Sequence, residues 1–142
     1  MEKKDIHNVL REIIPYFDKE DKWRVEGSAN LKIQGIETYV KDLDLVVSLE
    51  TFRKLKKKLG NKILSDKFIP DKGKFVLILN IKGFEVEIIR YYDQSLEMLD
   101  RILEEEWWGI RVRILPLKYA REVYQKVGMI EKVQLIDSYT KK

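Results

Sequence analysis

Val40-Lys41-Asp42-Leu43-Asp44-Leu45-Val46-Val47 alternates polar and apolar residues before running apolar. Successive side chains of a strand point to opposite faces. Leu43, Leu45 and Val47 therefore share one face, which reads as core, and Asp42 and Asp44 share the other. Aspartate is depleted in strands, and two adjacent carboxylates raise each other's pKa unless a cation lies between them. A hard divalent cation accounts for the pair, because Mg²⁺ takes oxygen ligands and is commonly held by one or two carboxylates plus phosphates. An Asp-x-Asp pair alone arises by chance in many chains, so its weight depends on what surrounds it.

Towards the C-terminus, Phe84-Glu85-Val86-Glu87-Ile88-Ile89 repeats the arrangement, with Phe84, Val86 and Ile88 on one face and Glu85 and Glu87 on the other. If this strand lies beside the Asp42–Leu49 strand, one of the two glutamates completes a three-carboxylate cluster. Such a cluster can hold two Mg²⁺ ions, or Mn²⁺ in their place, one activating an attacking oxygen and one neutralising a triphosphate. Alternating Glu is, however, more often an exposed sheet face. Towards the N-terminus, Gly27-Ser28 follows a short strand, Trp23-Arg24-Val25-Glu26, and opens a helix running to about Gln34, with Gly35 at its end. A helix start offers unpaired N–H groups and a positive dipole end to phosphates. Glycine permits close backbone approach, and serine adds a hydroxyl donor. Gly-Ser is itself a common helix start. The succession of cradle, short helix and acidic strand is far more specific than its parts.

The remaining pattern surrounds this centre with helices. Ile6, Val9, Leu10, Ile13, Ile14 and Phe17 recur at helical spacing, predicting a helix over 3–19 that Pro15 kinks or breaks. Ser48 caps a helix over 51–59 closed by Gly60. Residues 62–68 read as a strand, and 74–81 and 84–90 as a hairpin through Lys82-Gly83. Residues 95–103 read as a helix, 108–115 as a strand, and 117–127 and 130–139 as two closing helices around Gly128, with the Lys141-Lys142 end frayed. There is no repeat or linker. The expected architecture is one α/β (α+β) domain spanning residues 1–142, a small mixed β-sheet backed by helices.

Composition narrows the chemistry. The 142 residues include no cysteine and one histidine, His7. Thiolate zinc sites, disulfides and cysteine nucleophiles are excluded, as are metal sites needing two imidazoles from one chain. His7 reads as a surface residue of the first helix. Lys+Arg 28 against Asp+Glu 24 gives a net charge of +4, a weak bias towards anionic partners. No stretch is long and apolar enough to span a bilayer and no signal peptide is seen, so the protein is read as cytoplasmic.

In Val25-Glu26-Gly27-Ser28, Asp42-Leu43-Asp44 and Val86-Glu87-Ile88 the chain resembles the nucleotidyltransferase superfamily that includes DNA polymerase β and the kanamycin and lincosamide nucleotidyltransferases. From Leu115 to Lys132 it also looks like small members related to the abortive-infection (AbiEii-like) nucleotidyltransferases. The resemblance implies a polymerase-β-like palm and transfer of a nucleoside monophosphate from NTP to a hydroxyl, releasing pyrophosphate. It implies that Asp42 and Asp44 bind two Mg²⁺ ions, that Glu87 completes the site with Glu85 as its rival for that role, and that Gly27 and Ser28 contact the nucleotide. Lys41 and Lys32 lie close enough in sequence to help hold phosphates, although both equally suit an ordinary surface. The signature of antitoxin-type minimal members is missing, because Ala29-Asn30-Leu31-Lys32 follows Ser28. A protein side chain, a tRNA end or a small alcohol would each serve as acceptor, and exposed Trp107, Trp108 and Tyr119 would suit a homodimer or a partner protein. Two other readings compete: a non-catalytic nucleotide- or partner-binding module of the same fold, and an RNA-binding protein using Lys54-Leu55-Lys56-Lys57-Lys58 and Trp107-Trp108.

Overall fold

Strand alternation builds a sheet with two buried faces. The computed structural model describes residues 1–141; Lys142, at the end expected to fray, lies outside the described residues. The elements are α1 (Lys3–Ile13), β1 (Trp23–Glu26), α2 (Gly27–Ile33), β2 (Leu43–Val47), α3 (Leu49–Leu59), β3 (Ser65–Ile69), β4 (Lys74–Ile81), β5 (Phe84–Tyr91), β6 (Leu103–Trp107), β7 (Ile110–Ile114), α4 (Leu117–Lys126) and α5 (Ile130–Thr140). Five strands form one mixed sheet in the order β1-β2-β5-β4-β3. β2 and β5 pair in parallel; β1–β2, β5–β4 and β4–β3 are antiparallel. The α/β expectation is therefore met by a mixed sheet flanked by helices.

Leu43, Leu45 and Val47 of β2 and Val86 and Ile88 of β5 pack with Ile6, Val9, Leu10 and Ile13 of α1 and Phe52, Leu55 and Leu59 of α3. The opposite face carries Val46, Val76, Ile89 and Tyr91, covered by Leu31 of α2 and by Ala120, Val123, Tyr124, Val133 and Ile136 of α4 and α5. Each fully buried Leu or Ile contributes about 1.5–3 kcal/mol of transfer free energy. Asp42, Asp44 and Glu87 belong to this second face, at the place where its apolar cover stops.

Local signals explain the element ends. α1 stops at Ile13 and a single 3-10 turn over Ile14–Tyr16 follows, so the helix expected to 19 is cut short by Pro15. Ser48 caps α3 by accepting from the Thr51 N–H at 3.2 Å. Lys82 and Gly83 both take positive φ (54° and 87°), as a two-residue hairpin turn requires.

The helix expected over 95–103 does not form. A 3-10 turn over Gln94–Leu96 stands in its place, and Leu103–Trp107 is a strand paired with β7. Leu96 and Met98 are both buried, a spacing of two that no helix face supports, and Met98 takes φ 48°, outside the helical region. The strand expected from 108 begins at Ile110, because Trp108 and Gly109 (φ 49° and 84°) form the turn of the β6–β7 hairpin. Glu104 of β6 binds Arg111 of β7 at 2.6 Å, a cross-strand ion pair.

Candidate active site

The parallel pairing of β2 with β5 sets Asp44 directly opposite Glu87. Asp42 precedes β2 on the same face as Asp44. One carboxylate oxygen from each of Asp42, Asp44 and Glu87 lies within 4.8 Å of the other two. Glu85, the other glutamate of β5, is exposed and stands opposite Asn80 of β4. Register thus separates the two glutamates that alternation alone left equal.

The cluster is electrostatically unfavourable as it stands. Burial, and then the charge of Glu87, push the Asp44 carboxyl up to about 8. Burial raises Glu87 as well, with Lys74 acting against it from 3.9 Å. The Asp44 Oδ1 atom is buried and has no hydrogen-bond partner among the described residues. Glu26 makes the comparison clear, since it is also buried and also opposite Asp44, across β1. Its Oε1 accepts from Arg24 Nη1 at 2.8 Å and its Oε2 from the Tyr91 hydroxyl at 2.6 Å. One buried carboxylate is fully partnered within the protein and the other is not. An unpartnered buried carboxylate oxygen costs about 1–3 kcal/mol or more. Three oxygen donors, one of them orphaned, fit a hard divalent cation.

Gly27 closes one wall. It takes φ +69°, and a Cβ at this position would lie 3.0 Å from Asp44 Oδ2. Only glycine combines that backbone with that proximity. Ser28, next in α2, is half-buried and accepts a hydrogen bond from Lys132 Nζ of α5. Asn30 fixes α2 from beneath: its side chain donates to Leu115 O and accepts from Leu115 N, both at 3.0 Å.

The lysines divide. Lys41 is exposed in the loop before β2 and makes no ion pair among the described residues. Lys32 is buried and donates to Thr38 O at 3.3 Å, so it ties down the loop over 36–41. In the lysine run, Lys54 binds Asp18 and Asp21, Lys56 binds Asp66 and Lys58 binds Asp18, while Leu55 is core. That face is engaged in ion pairs. Trp107 and Trp108 stack on each other, and His7 meets both rings at steep angles, its Nε2 2.8 Å from Trp108 O.

Sequence reading missed three residues beside the acids. Lys74 of β4 and Lys132 of α5 come from elements remote in sequence from β2. The buried Tyr124 hydroxyl of α4 has no partner, and burial followed by the charges of Glu26 and Asp44 pushes it up. No local motif marks any of them, because each reaches the site only through tertiary packing.

No protein-family model matches the chain, and no curated protein does. Among solved structures, the chain is similar to a "putative nucleotidyltransferase" from Thermotoga maritima, with a TM-score of 0.74 and 22% identity over 99% of this chain and 96% of that one. The two chains share a fold. That likeness spans the sheet, both helical layers and the C-terminal helices, since almost nothing of either chain is left out. Among the described residues, no helix is long and apolar enough to cross a membrane.

Proposed function

We propose that this protein transfers a nucleoside monophosphate from a nucleoside triphosphate to a hydroxyl, with release of pyrophosphate. The observation that carries the reading is the convergence of Asp42, Asp44 and Glu87 from paired strands around a buried, unpartnered carboxylate oxygen. The fold shared with the Thermotoga protein supports it. Asp42, Asp44 and Glu87 would hold divalent cations, with two Mg²⁺ the expected occupants. When bound, these supply charge neutralisation of the phosphates and acidification of the attacking hydroxyl.

The rest of the work falls to the chain's own residues. The acceptor oxygen bonds to the α-phosphorus, the bond from that phosphorus to the bridging oxygen breaks, and pyrophosphate leaves with the electron pair. The acceptor proton passes to a carboxylate of the cluster and then to solvent. The Ser28 hydroxyl donates to a phosphate oxygen, and Gly27 keeps the backbone close enough for that oxygen to sit beside Asp44. The AbiEii-like character of the C-terminal segment belongs to the same proposal.

Nucleoside triphosphates labelled at the α-phosphate, incubated with the protein, Mg²⁺ or Mn²⁺, and candidate protein, tRNA and small-alcohol acceptors, test the reading. Label should move to one acceptor class and be lost, by about 100-fold or more, on Asp42→Asn plus Asp44→Asn. Transfer that survives both substitutions would remove these residues from the chemistry.

A further inference from the structure

Lys132 differs from Lys32 and Lys74. Lys32 is committed to a backbone carbonyl and Lys74 to Glu87. Lys132 is half-buried, makes no ion pair among the described residues, and points its ammonium at the Ser28 hydroxyl. Burial lowers its pKa, so the fold works against the charge it carries there. An ammonium has three donors, and Ser28 uses one.

The placement is enforced. Arg121 of α4 grips Asp137 of α5 through two hydrogen bonds, Nε to Oδ1 at 2.7 Å and Nη2 to Oδ2 at 3.1 Å. The Tyr139 hydroxyl donates to Gln34 O, just past the end of α2, at 3.3 Å. Val133 and Ile136 bury their side chains in the second core. Lys132 therefore meets the first turn of α2 while Tyr139 meets its end. On the far side of Ser28 lies Gly27, whose missing Cβ leaves it against Asp44 Oδ2.

The chemistry runs from a cation at Lys132 to an anion at Asp44, with Ser28 and Gly27 between them. Lys132 and the Ser28 hydroxyl supply donors only to an anion, and Asp44 belongs to the carboxylate cluster suited to a cation. A ligand that satisfies both ends is a polyphosphate that brings a metal with it. We propose that Lys132, together with Ser28, binds the distal phosphates of the nucleoside triphosphate, so that the C-terminal helix completes the nucleotide site and holds the departing pyrophosphate. This rests on the nucleotidyl-transfer reading, and adds a residue from α5 as a phosphate ligand.

Inorganic tripolyphosphate with Mg²⁺ isolates the interaction from base and sugar. Calorimetric titration should show binding to the wild type, a loss of about tenfold or more for Lys132→Met, and affinity within about threefold of wild type for Lys132→Arg. Mn²⁺ binding to the carboxylates, followed by electron paramagnetic resonance, should not weaken in Lys132→Met. Unchanged tripolyphosphate affinity in Lys132→Met would overturn the assignment and leave the proposed function standing. Parallel loss of Mn²⁺ and tripolyphosphate would mark Lys132 as a structural residue and also overturn it. A wild type that binds neither Mn²⁺ nor tripolyphosphate would overturn the assignment and the nucleotidyl-transfer reading together.

Discussion

Asp44 is the residue on which the site turns. Burial and Glu87 hold its carboxyl at about 8, so in the metal-free protein it retains a proton that the unfolded chain releases near the ordinary carboxylate value. A carboxyl raised on folding contributes stability that is fully present below the unfolded value and is lost as pH rises through the folded one. Metal-free protein should therefore lose stability between about pH 4 and pH 8, and Asp44→Asn, which cannot ionise, should flatten that loss. At pH 8 to 9 in chelator, thermal melts should place Asp44→Asn above wild type by on the order of a few kcal/mol. Saturating Mn²⁺ should reverse the order, because only the carboxylate gains from the cation. A wild type whose melting temperature is flat over this range would show that Asp44 is not strained. Asp42 and Asp44 were legible from strand parity alone. Which glutamate joins them was not, because Glu85 and Glu87 share a face and only the pairing of Asp44 with Glu87 separates them.

At the scale of elements, β1 does more than flank β2. Arg24, fully buried, donates from Nη1 to Glu26, from Nε to Glu97 O at 2.6 Å and from Nη2 to Leu96 O at 3.0 Å. Through Glu26 and the Tyr91 hydroxyl it joins β1, β5 and the turn over 94–98 behind the acidic cluster. Removing one partner of a buried ion pair leaves the other uncompensated, at about 3–5 kcal/mol. Arg24→Met should cost that much in denaturant unfolding, whereas Arg24→Met with Glu26→Gln should recover part of it. An Arg24→Met protein as stable as wild type would show that this network carries no load. The same turn is where sequence reading failed. Leu96 and Met98 resemble the start of a helix until their burial and the positive φ of Met98 are known. Leu103-Glu104-Glu105-Glu106 is exposed along its length and shows no alternation, so nothing in it announced a strand. The β4–β5 hairpin, by contrast, carries alternation and a Lys-Gly turn, and both were readable.

Across the whole molecule, one sheet with two covered faces places chemistry where the second cover ends. α1 and α3 cover the first face. α4 and α5 close the second only as far as Val46, Ile89 and Tyr91, which leaves Asp42, Asp44 and Glu87 at the margin, with Lys74 3.9 Å from Glu87 and Lys132 on Ser28. Residue pattern predicts the sheet and its acids, because those are local. It cannot predict Lys132, since α5 meets α2 through tertiary packing, held by the Asn30–Leu115 and Arg121–Asp137 hydrogen bonds. The cation site is the part of this arrangement that everything else depends on. Crystals soaked with Mn²⁺ and a nucleoside triphosphate carrying a non-hydrolysable α–β linkage, measured for anomalous diffraction at the manganese edge, test it. The structure predicts a manganese peak shared by Asp42, Asp44 and Glu87, with Glu85 free of metal. No peak at that cluster under saturating Mn²⁺, or a peak held by Glu85 instead of Glu87, would contradict it.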